Sequence, residues 1–391
     1  MIRERNKAYL DIALSYLFML LPLDRNAFYF TSFKGQYSDS PRAISQLVHE
    51  LIPSSKIFWE ITTKCHETLP EYVTPVKPWT AKACYKRSRS GFVIDNYLGW
   101  KYGHEGNKIK RAIFQHMKKR GQINLSIWHG TPLKKISIDM PKSQDKPEWF
   151  YSTSDYLLCN SDYLCSILKR ITNNKIPIEM TGWPRNDILF DLDTEYKKTV
   201  KKKLGLPIEK KIILYAPTFR DGGIEESGIN QIQSLNIPRL LSEMHTKFGG
   251  DWIFVFRVHD SVLTALDNMD YNHENIYSGN VGDDMAEYLY LSDALITDYS
   301  GSIFDYLNTN KPCFLFCPDI NHYTTVERGL YMDIYDLPYS VSITENDLIQ
   351  QINGFNMECN REKVQKFKKK IGLIDDGNAS KRTVEIIQRN I

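Results

Sequence analysis

At 391 residues the chain exceeds what one hydrophobic core fills, so two domains are the first expectation. With 42% hydrophobic and 25% charged residues it reads as globular, which sets aside disordered and fibrous classes. Its 50 Lys and Arg against 47 Asp and Glu leave a net charge of +3, too little to point to a nucleic-acid partner.

Residues Ala8 to Leu23 are strongly apolar but carry Asp11 and stop at Pro22, too short a run to span a bilayer. No small-residue cleavage site follows, so the segment does not read as a signal peptide. On a helix, Lys7, Asp11 and Ser15 make a narrow polar stripe. Residues 1–25 are therefore expected to form an amphipathic helix that either packs on the domain or dips into a membrane surface.

Beyond it, apolar runs alternate with helical periodicity, the pattern of an α/β fold with parallel sheets. The first domain, 26–195, is expected to hold strands at Ala27–Thr31, Lys56–Ile61, Phe92–Asp95, Ile123–Trp128, Tyr156–Cys159 and Ile178–Met180, with helices near 41–52, 104–120 and 161–171. Between Lys77 and Arg120 the acids are only Asp95 and Glu105. The helix at 104–120 would turn Ile109, Ala112, Ile113, His116 and Met117 to one side and many basic residues elsewhere. Such a surface suits an anionic membrane or an anionic acceptor. The seven cysteines are sparse and form no CxxC pair, which argues against a disulfide framework or zinc knuckle and fits a reducing, cytosolic setting.

A lysine-rich helix, Lys197–Lys203, marks the domain junction. The second domain, 196–374, is expected to place strands at Lys211–Tyr215, Trp252–Arg257, Asn275–Tyr277, Ala294–Thr297 and Cys313–Phe316, with helices near 238–248, 284–291 and 302–309. Asp284 with Glu287 three residues later resembles a capping box. A last helix in 375–391 is expected to cross back to the first domain.

Polar clusters follow several of these strands, where open α/β sheets build their sites. Strand Ala294–Thr297 runs into Asp298 and the turn Ser300-Gly301-Ser302, which opens a helix carrying Asp305. Backbone N–H groups at a helix start suit a phosphate. His129, in WHGTPLKK, is held at a turn after a strand and could serve as a general base. Arg257 and His259, two apart in RVHD, would set two cations side by side for a developing phosphate charge. Thr218 and Arg220 fall in YAPTFRD beside Pro217, and GWPRND at 182–187 follows the last strand of the first half. Walker, HExxH and GxSxG motifs are missing. These cations suffice to neutralise a diphosphate, so neither metal nor cofactor is expected.

Taken in order, WHGTPLKK, GWPRND, YAPTFRD, RVHD, ITDYSGSIFDY, Glu327-Arg328-Gly329-Leu330-Tyr331 and Asp376-Gly377-Asn378-Ala379-Ser380, with FTSFKGQYSDSPRAI at 30–44, resemble the CDP-glycerol glycerophosphotransferase family of teichoic acid primases and polymerases and some capsule polymerases. That resemblance implies a GT-B-like fold, two Rossmann-type domains with parallel sheets facing across an interdomain cleft, and peripheral attachment to the cytoplasmic face of the membrane. It implies transfer of glycerol phosphate or ribitol phosphate from CDP-glycerol or CDP-ribitol to a hydroxyl of a lipid-linked acceptor or growing polymer, releasing CMP. By motif, His129 would be the base, and His259 with Arg257 would stabilise the diphosphate and departing CMP. Ser300, Gly301 and Ser302 would cradle phosphate, Asp298 and Asp305 would order that loop or touch the donor, and Thr218 and Arg220 would line the donor site. Two departures stand out: members often have two serines where Ser300-Gly301 stands, and a proline where Asp260 stands. A GT-B glycosyltransferase using a nucleotide sugar, and a non-catalytic anionic-polymer or membrane binder, remain as alternatives.

Overall fold

The computed structural model of the protein describes residues 13, 14, 16–62, 65–96, 119–141, 154–218, 234–258, 274–282, 284–326 and 329–391. The chain divides into two compact units, one of residues 1–129, 144–187 and 373–391, the other of residues 130–143 and 188–372.

The first unit is built on a seven-stranded parallel sheet in the order β3-β2-β1-β4-β5-β6-β7. Its strands are β1 (Asp24–Thr31), β2 (Lys56–Glu60), β3 (Val73–Val76), β4 (Ser90–Asp95), β5 (Ile123–Ile127), β6 (Tyr156–Cys159) and β7 (Ile178–Met180). The central strands are apolar on both faces because helices cover both, as parallel sheets require. Phe28 stacks on Phe92 at 5.0 Å and Phe30 on Trp59 at 5.1 Å, which ties β1 to its two neighbours, β4 and β2. From β1 the chain builds outward through β2 and β3, then returns to β4 and builds the other way. The order therefore reverses between β1 and β4, the point at which such sheets open a crevice at their carboxyl ends. The strand β3 was not anticipated, because Pro75 interrupts its sequence. It lies at the sheet edge, where a missing N–H is tolerated.

The second unit repeats the plan with six parallel strands in the order β10-β9-β8-β11-β12-β13. These are β8 (Lys211–Ala216), β9 (Trp252–Phe256), β10 (Ile276–Ser278), β11 (Ala294–Thr297), β12 (Cys313–Phe316) and β13 (Val341–Ser342). Ile213, Tyr215, Phe254, Ile296 and Phe314 pack with Leu240, Met244, Leu348 and Ile352 of flanking helices into one core cluster. Here the order reverses between β8 and β11.

Some details differ from the sequence expectation. Residues 130–143 and 188–195 fall in the second unit and 373–374 in the first, the latter together with 375–391, the stretch whose helix was expected to cross back. The helix Ala379–Gln388 packs there against the helix Asp39–Leu51. Asp284 does cap its helix by accepting from the Ala286 N–H, but Glu287 does not close a capping box. Its carboxylate instead takes Lys203 Nζ at 2.8 and 2.9 Å, so a buried acid is matched to a cation of the helix Thr194–Lys203. The expected helix at 104–120 lies almost wholly outside the described residues.

Of the N-terminal segment, the described residues show Phe18 edge-on to Tyr85 at 5.5 Å. Lys119 Nζ donates to the carbonyls of Phe18, Leu21 and Ser88, and Arg89 Nε donates to that of Pro22. Cations thus satisfy carbonyls at the end of the segment, as C-terminal helix caps do. Leu17 and Leu20 remain 60% and 86% exposed. Among the described residues no helix is long and apolar enough to cross a membrane.

Candidate functional site

In the first unit β5 ends at Ile127; Trp128, which is buried, comes next, and then His129, which is exposed and whose ring stands 5.0 Å from the Trp128 ring. Gly130 follows at φ 125°, a value L side chains rarely adopt, so the chain turns sharply just after the imidazole. His129 retains open surface, yet protein crowds the ring closely enough to push its pKa down to about 4. Burial is the largest cause; Asp39 opposes it and Arg185 adds to it. Water at the open surface offsets part of that penalty, so the direction is what matters: the imidazole is neutral at pH 7 and can accept a proton.

Asp39 and Arg185 were not singled out from the sequence. Arg185 NH1 donates to the His129 carbonyl at 3.0 Å and to both oxygens of Asp39 at 3.3 and 3.2 Å. The Arg185 backbone N–H donates to Ser40 Oγ, and its guanidinium lies over the Trp183 ring. The signal available was GWPRND itself, but its partner lies 146 residues away in the chain.

The rest of GWPRND meets the C-terminal motif. Asp375 Oδ1 accepts from the Trp183 N–H at 2.7 Å, and its Oδ2 accepts from the side-chain amides of Asn160 and Asn186. Asp187 accepts from the Ala379 and Ser380 N–H groups at 2.9 and 2.8 Å, capping the helix Ala379–Gln388. Burial raises the Asp187 pKa, and the bonds from Ser380 and Ala379 act against that rise. Gly182, at φ 82°, is where a Cβ would come 2.8 Å from Asp375 Oδ1. These two motifs form a structural clasp.

In the second unit the polar residues gather at the β8/β11 reversal. Asp298 Oδ1 accepts from the N–H groups of Thr218 and Tyr299 at 2.8 and 2.6 Å, and Thr297 Oγ1 donates to the Ala216 carbonyl. Asp298 therefore joins the loops after β8 and β11. Ser300 Oγ accepts from the Ser302 N–H and Oγ, which shapes the turn into the short helix Ser302–Tyr306 and the 3-10 turn Leu307–Thr309 that follows it. Asp305 is buried within that helix. Gly301 has helical φ and ψ, but a Cβ there would lie 2.9 Å from the Thr131 carbonyl oxygen. Glycine at 301 is thus demanded by close packing. The loop carrying Thr131 is strapped by residues 329–331: the Lys135 N–H donates to the Gly329 carbonyl, and the Tyr331 N–H donates to that of Leu133.

Thr218, Asp298, Ser300, Gly301 and Ser302 are therefore brought together. Arg257 follows β9, the neighbour of β8, with NH1 donating to the carbonyls of Gly279 and Gly282 at 2.6 and 2.9 Å and its guanidinium over Tyr288. Arg220 and His259 lie outside the described residues.

Comparison with known proteins follows this geometry. The family model described as CDP-Glycerol:Poly(glycerophosphate) glycerophosphotransferase matches residues 13–389. A teichoic acid glycerol-phosphate transferase of Staphylococcus aureus is 28% identical, the alignment covering 99% of this chain and 100% of that protein. A teichoic acid poly(glycerol phosphate) polymerase of Staphylococcus epidermidis is 29% identical over 93% of this chain, which spans 50% of that relative's length. The solved structure of a wall teichoic acid polymerase TagF variant soaked with CDPG aligns with TM-score 0.79 and 27% identity, covering 100% of this chain and 96% of that one. The fold is GT-B-like.

Proposed function

We propose, from the premise that this chain belongs to the CDP-glycerol:poly(glycerophosphate) glycerophosphotransferase family, that it transfers a polyol phosphate from a CDP-polyol to an acceptor hydroxyl. The donor is CDP-glycerol or CDP-ribitol, and the acceptor is a lipid-linked or growing teichoic acid or capsule polymer. An acceptor oxygen attacks the phosphorus bearing the polyol. The bond from that phosphorus to the oxygen bridging it to CMP breaks, and CMP leaves. The acceptor proton passes to His129. Thr218, Ser300, Gly301 and Ser302 hold the donor phosphates, with Asp298 and Asp305 ordering the turn. Arg257 and His259, with Arg220, offset the charge that builds on the leaving group. The transfer takes no cofactor.

The observation that carries this proposal is His129 itself, neutral at pH 7 and open to solvent at the carboxyl end of β5. Attachment to an anionic membrane at the cytoplasmic face belongs to the same proposal. It is supported by Leu17 and Leu20 standing in the open beside the basic helix Ala81–Arg89.

The test is CMP release from CDP-glycerol and CDP-ribitol, measured against UDP or GDP release from nucleotide sugars. His129→Ala is expected to abolish transfer while CDP-polyol binding persists. Nucleoside diphosphate release would favour a glycosyltransferase, and turnover retained in His129→Ala would remove the base.

A further inference from the structure

We infer that Asp39 and Arg185 are positioning residues for His129, an inference that rests on His129 being the base. The bridge they make runs from carboxylate to guanidinium to the His129 main chain. NH1 of Arg185 carries two hydrogens, and its acceptors are the Asp39 carboxylate and the His129 carbonyl, at 3.2 and 3.0 Å. That carbonyl lies beyond the last residue of β5, so no sheet ladder orients it. The next residue is a glycine at φ 125°, where the chain turns sharply. The Arg185 bond restrains that carbonyl and with it the backbone from which the imidazole projects.

The guanidinium is in turn held on several sides. Its side chain is only 10% exposed, packs over Trp183 and leaves a backbone N–H on Ser40 Oγ. Asp39 stands at φ 63°, a left-handed conformation for a non-glycine residue, at the first position of its helix. Such a conformation costs about 1–3 kcal/mol and persists where the surroundings over-determine it. Here it coincides with a carboxylate aimed at Arg185. Three elements, the end of β5, the start of the helix Asp39–Leu51 and the turn Pro184–Phe190, meet at this one guanidinium.

The arrangement also has a signature that packing alone would not give. Among the described residues, the charged groups acting on the imidazole include Asp39, which favours its protonated form, and Arg185, which disfavours it. Removing the two charges should move the His129 pKa in opposite directions. Loss of the guanidinium raises it; loss of the carboxylate lowers it.

The experiment uses the full-length protein with CDP-glycerol and acceptor, and compares Arg185→Gln, Arg185→Lys, Asp39→Asn and His129→Gln. The His129 pKa is read by NMR titration of labelled histidines, the resonance being assigned by its loss in His129→Gln. Arg185→Gln is expected to lower kcat by roughly 100-fold, the scale of a misplacement of about 1 Å, with KM for CDP-glycerol unchanged. Its His129 pKa should rise, and that of Asp39→Asn should fall. Arg185→Lys should recover part of kcat and leave the pKa near the parent value. Unchanged kcat and pKa in both charge-removing variants, or shifts of the same sign, would overturn the inference. If Arg185→Gln does not fold, Asp39→Asn decides alone: a lowered pKa supports the bridge and an unchanged one overturns it. Wild-type turnover in His129→Gln would instead overturn the base assignment itself, and the inference with it.

Discussion

Gly301→Ala is the sharpest single perturbation of the second unit. Gly301 sits at φ −62° and ψ −18°, which alanine adopts freely, so the backbone itself gains up to about 1 kcal/mol from the change. The new methyl, however, would lie 2.9 Å from the Thr131 carbonyl oxygen, closer than real Cβ atoms come to a backbone oxygen. Relief requires one side to move. Thr131 is 1% exposed, and its loop is pinned by the Lys135–Gly329 and Leu133–Tyr331 backbone bonds. On the other side, Ser300 and Ser302 share a hydroxyl contact and Asp298 is committed to two N–H groups. Overpacking of this kind costs about 1–3 kcal/mol, so a net loss of about 1–2 kcal/mol is expected after the backbone gain.

The turn that must shift is the one proposed to hold the donor phosphates. The loss should therefore appear as a rise of roughly 5–30-fold in the Kd for CDP-glycerol, accompanied by a lowered unfolding midpoint. Calorimetric titration with CDP-glycerol and CDP-ribitol, together with thermal unfolding, measures both. Gly301→Ser should behave like Gly301→Ala, because the clash belongs to Cβ and not to the hydroxyl. Wild-type stability and donor affinity in Gly301→Ala would refute the packing argument. A clean switch from one donor to the other in Gly301→Ser, without loss of stability, would show that the glycine selects the polyol.

Two further outcomes follow from the first unit. Asp375→Ala strands the Trp183 N–H and the side-chain amides of Asn160 and Asn186 in a buried setting. At about 1–3 kcal/mol for a stranded group, and less than additive for neighbours, it should cost roughly 3–5 kcal/mol in urea unfolding, and a loss below about 1 kcal/mol would dissolve the clasp. Leu17→Glu with Leu20→Glu alters side chains that are 60% and 86% exposed, so stability should hold while sedimentation with anionic vesicles falls; unchanged vesicle binding would end the membrane role of that segment.

The strands were the most legible part of the fold. Tyr156–Cys159, Ile178–Met180, Ala294–Thr297 and Cys313–Phe316 fall where β-branched, aromatic and other apolar runs place them, and helix periodicity between them gave the parallel plan. What escaped was polar or edge-bound. The edge strand Val73–Val76 hides behind Pro75, and the helix Met357–Ile371 buries only Asn360, Val364, Phe367 and Ile371 beneath a largely charged sequence. The helix Glu345–Asn353 carries a complete capping box at Thr344 and Asp347, while at the same spacing Asp284 accepts from Ala286 and Glu287 pairs with Lys203. Spacing permits a box; a nearby Lys203 decides where the acid goes. Of the candidate site, residues on adjacent loops could be grouped by their places after strands. Arg185 and Asp39 could not, because a pairing across 146 residues leaves no trace in local pattern.

The motifs that carry the family resemblance therefore divide by physical role. GWPRND and the C-terminal Asp375–Ser380 stretch are joined by buried carboxylate bonds and hold a helix in place. Gly329 to Tyr331 straps a loop, and Asp298 ties two loops with a single oxygen. Loss of activity on mutating any of these is what a structural fastening would give, so it says nothing by itself about chemistry. WHGTPLKK is divided within itself: the His129 carbonyl is bonded by Arg185 in the first unit, while Leu133 and Lys135 are held by backbone bonds to Tyr331 and Gly329 within the second. Gly130 stands between them at φ 125°, where the chain turns.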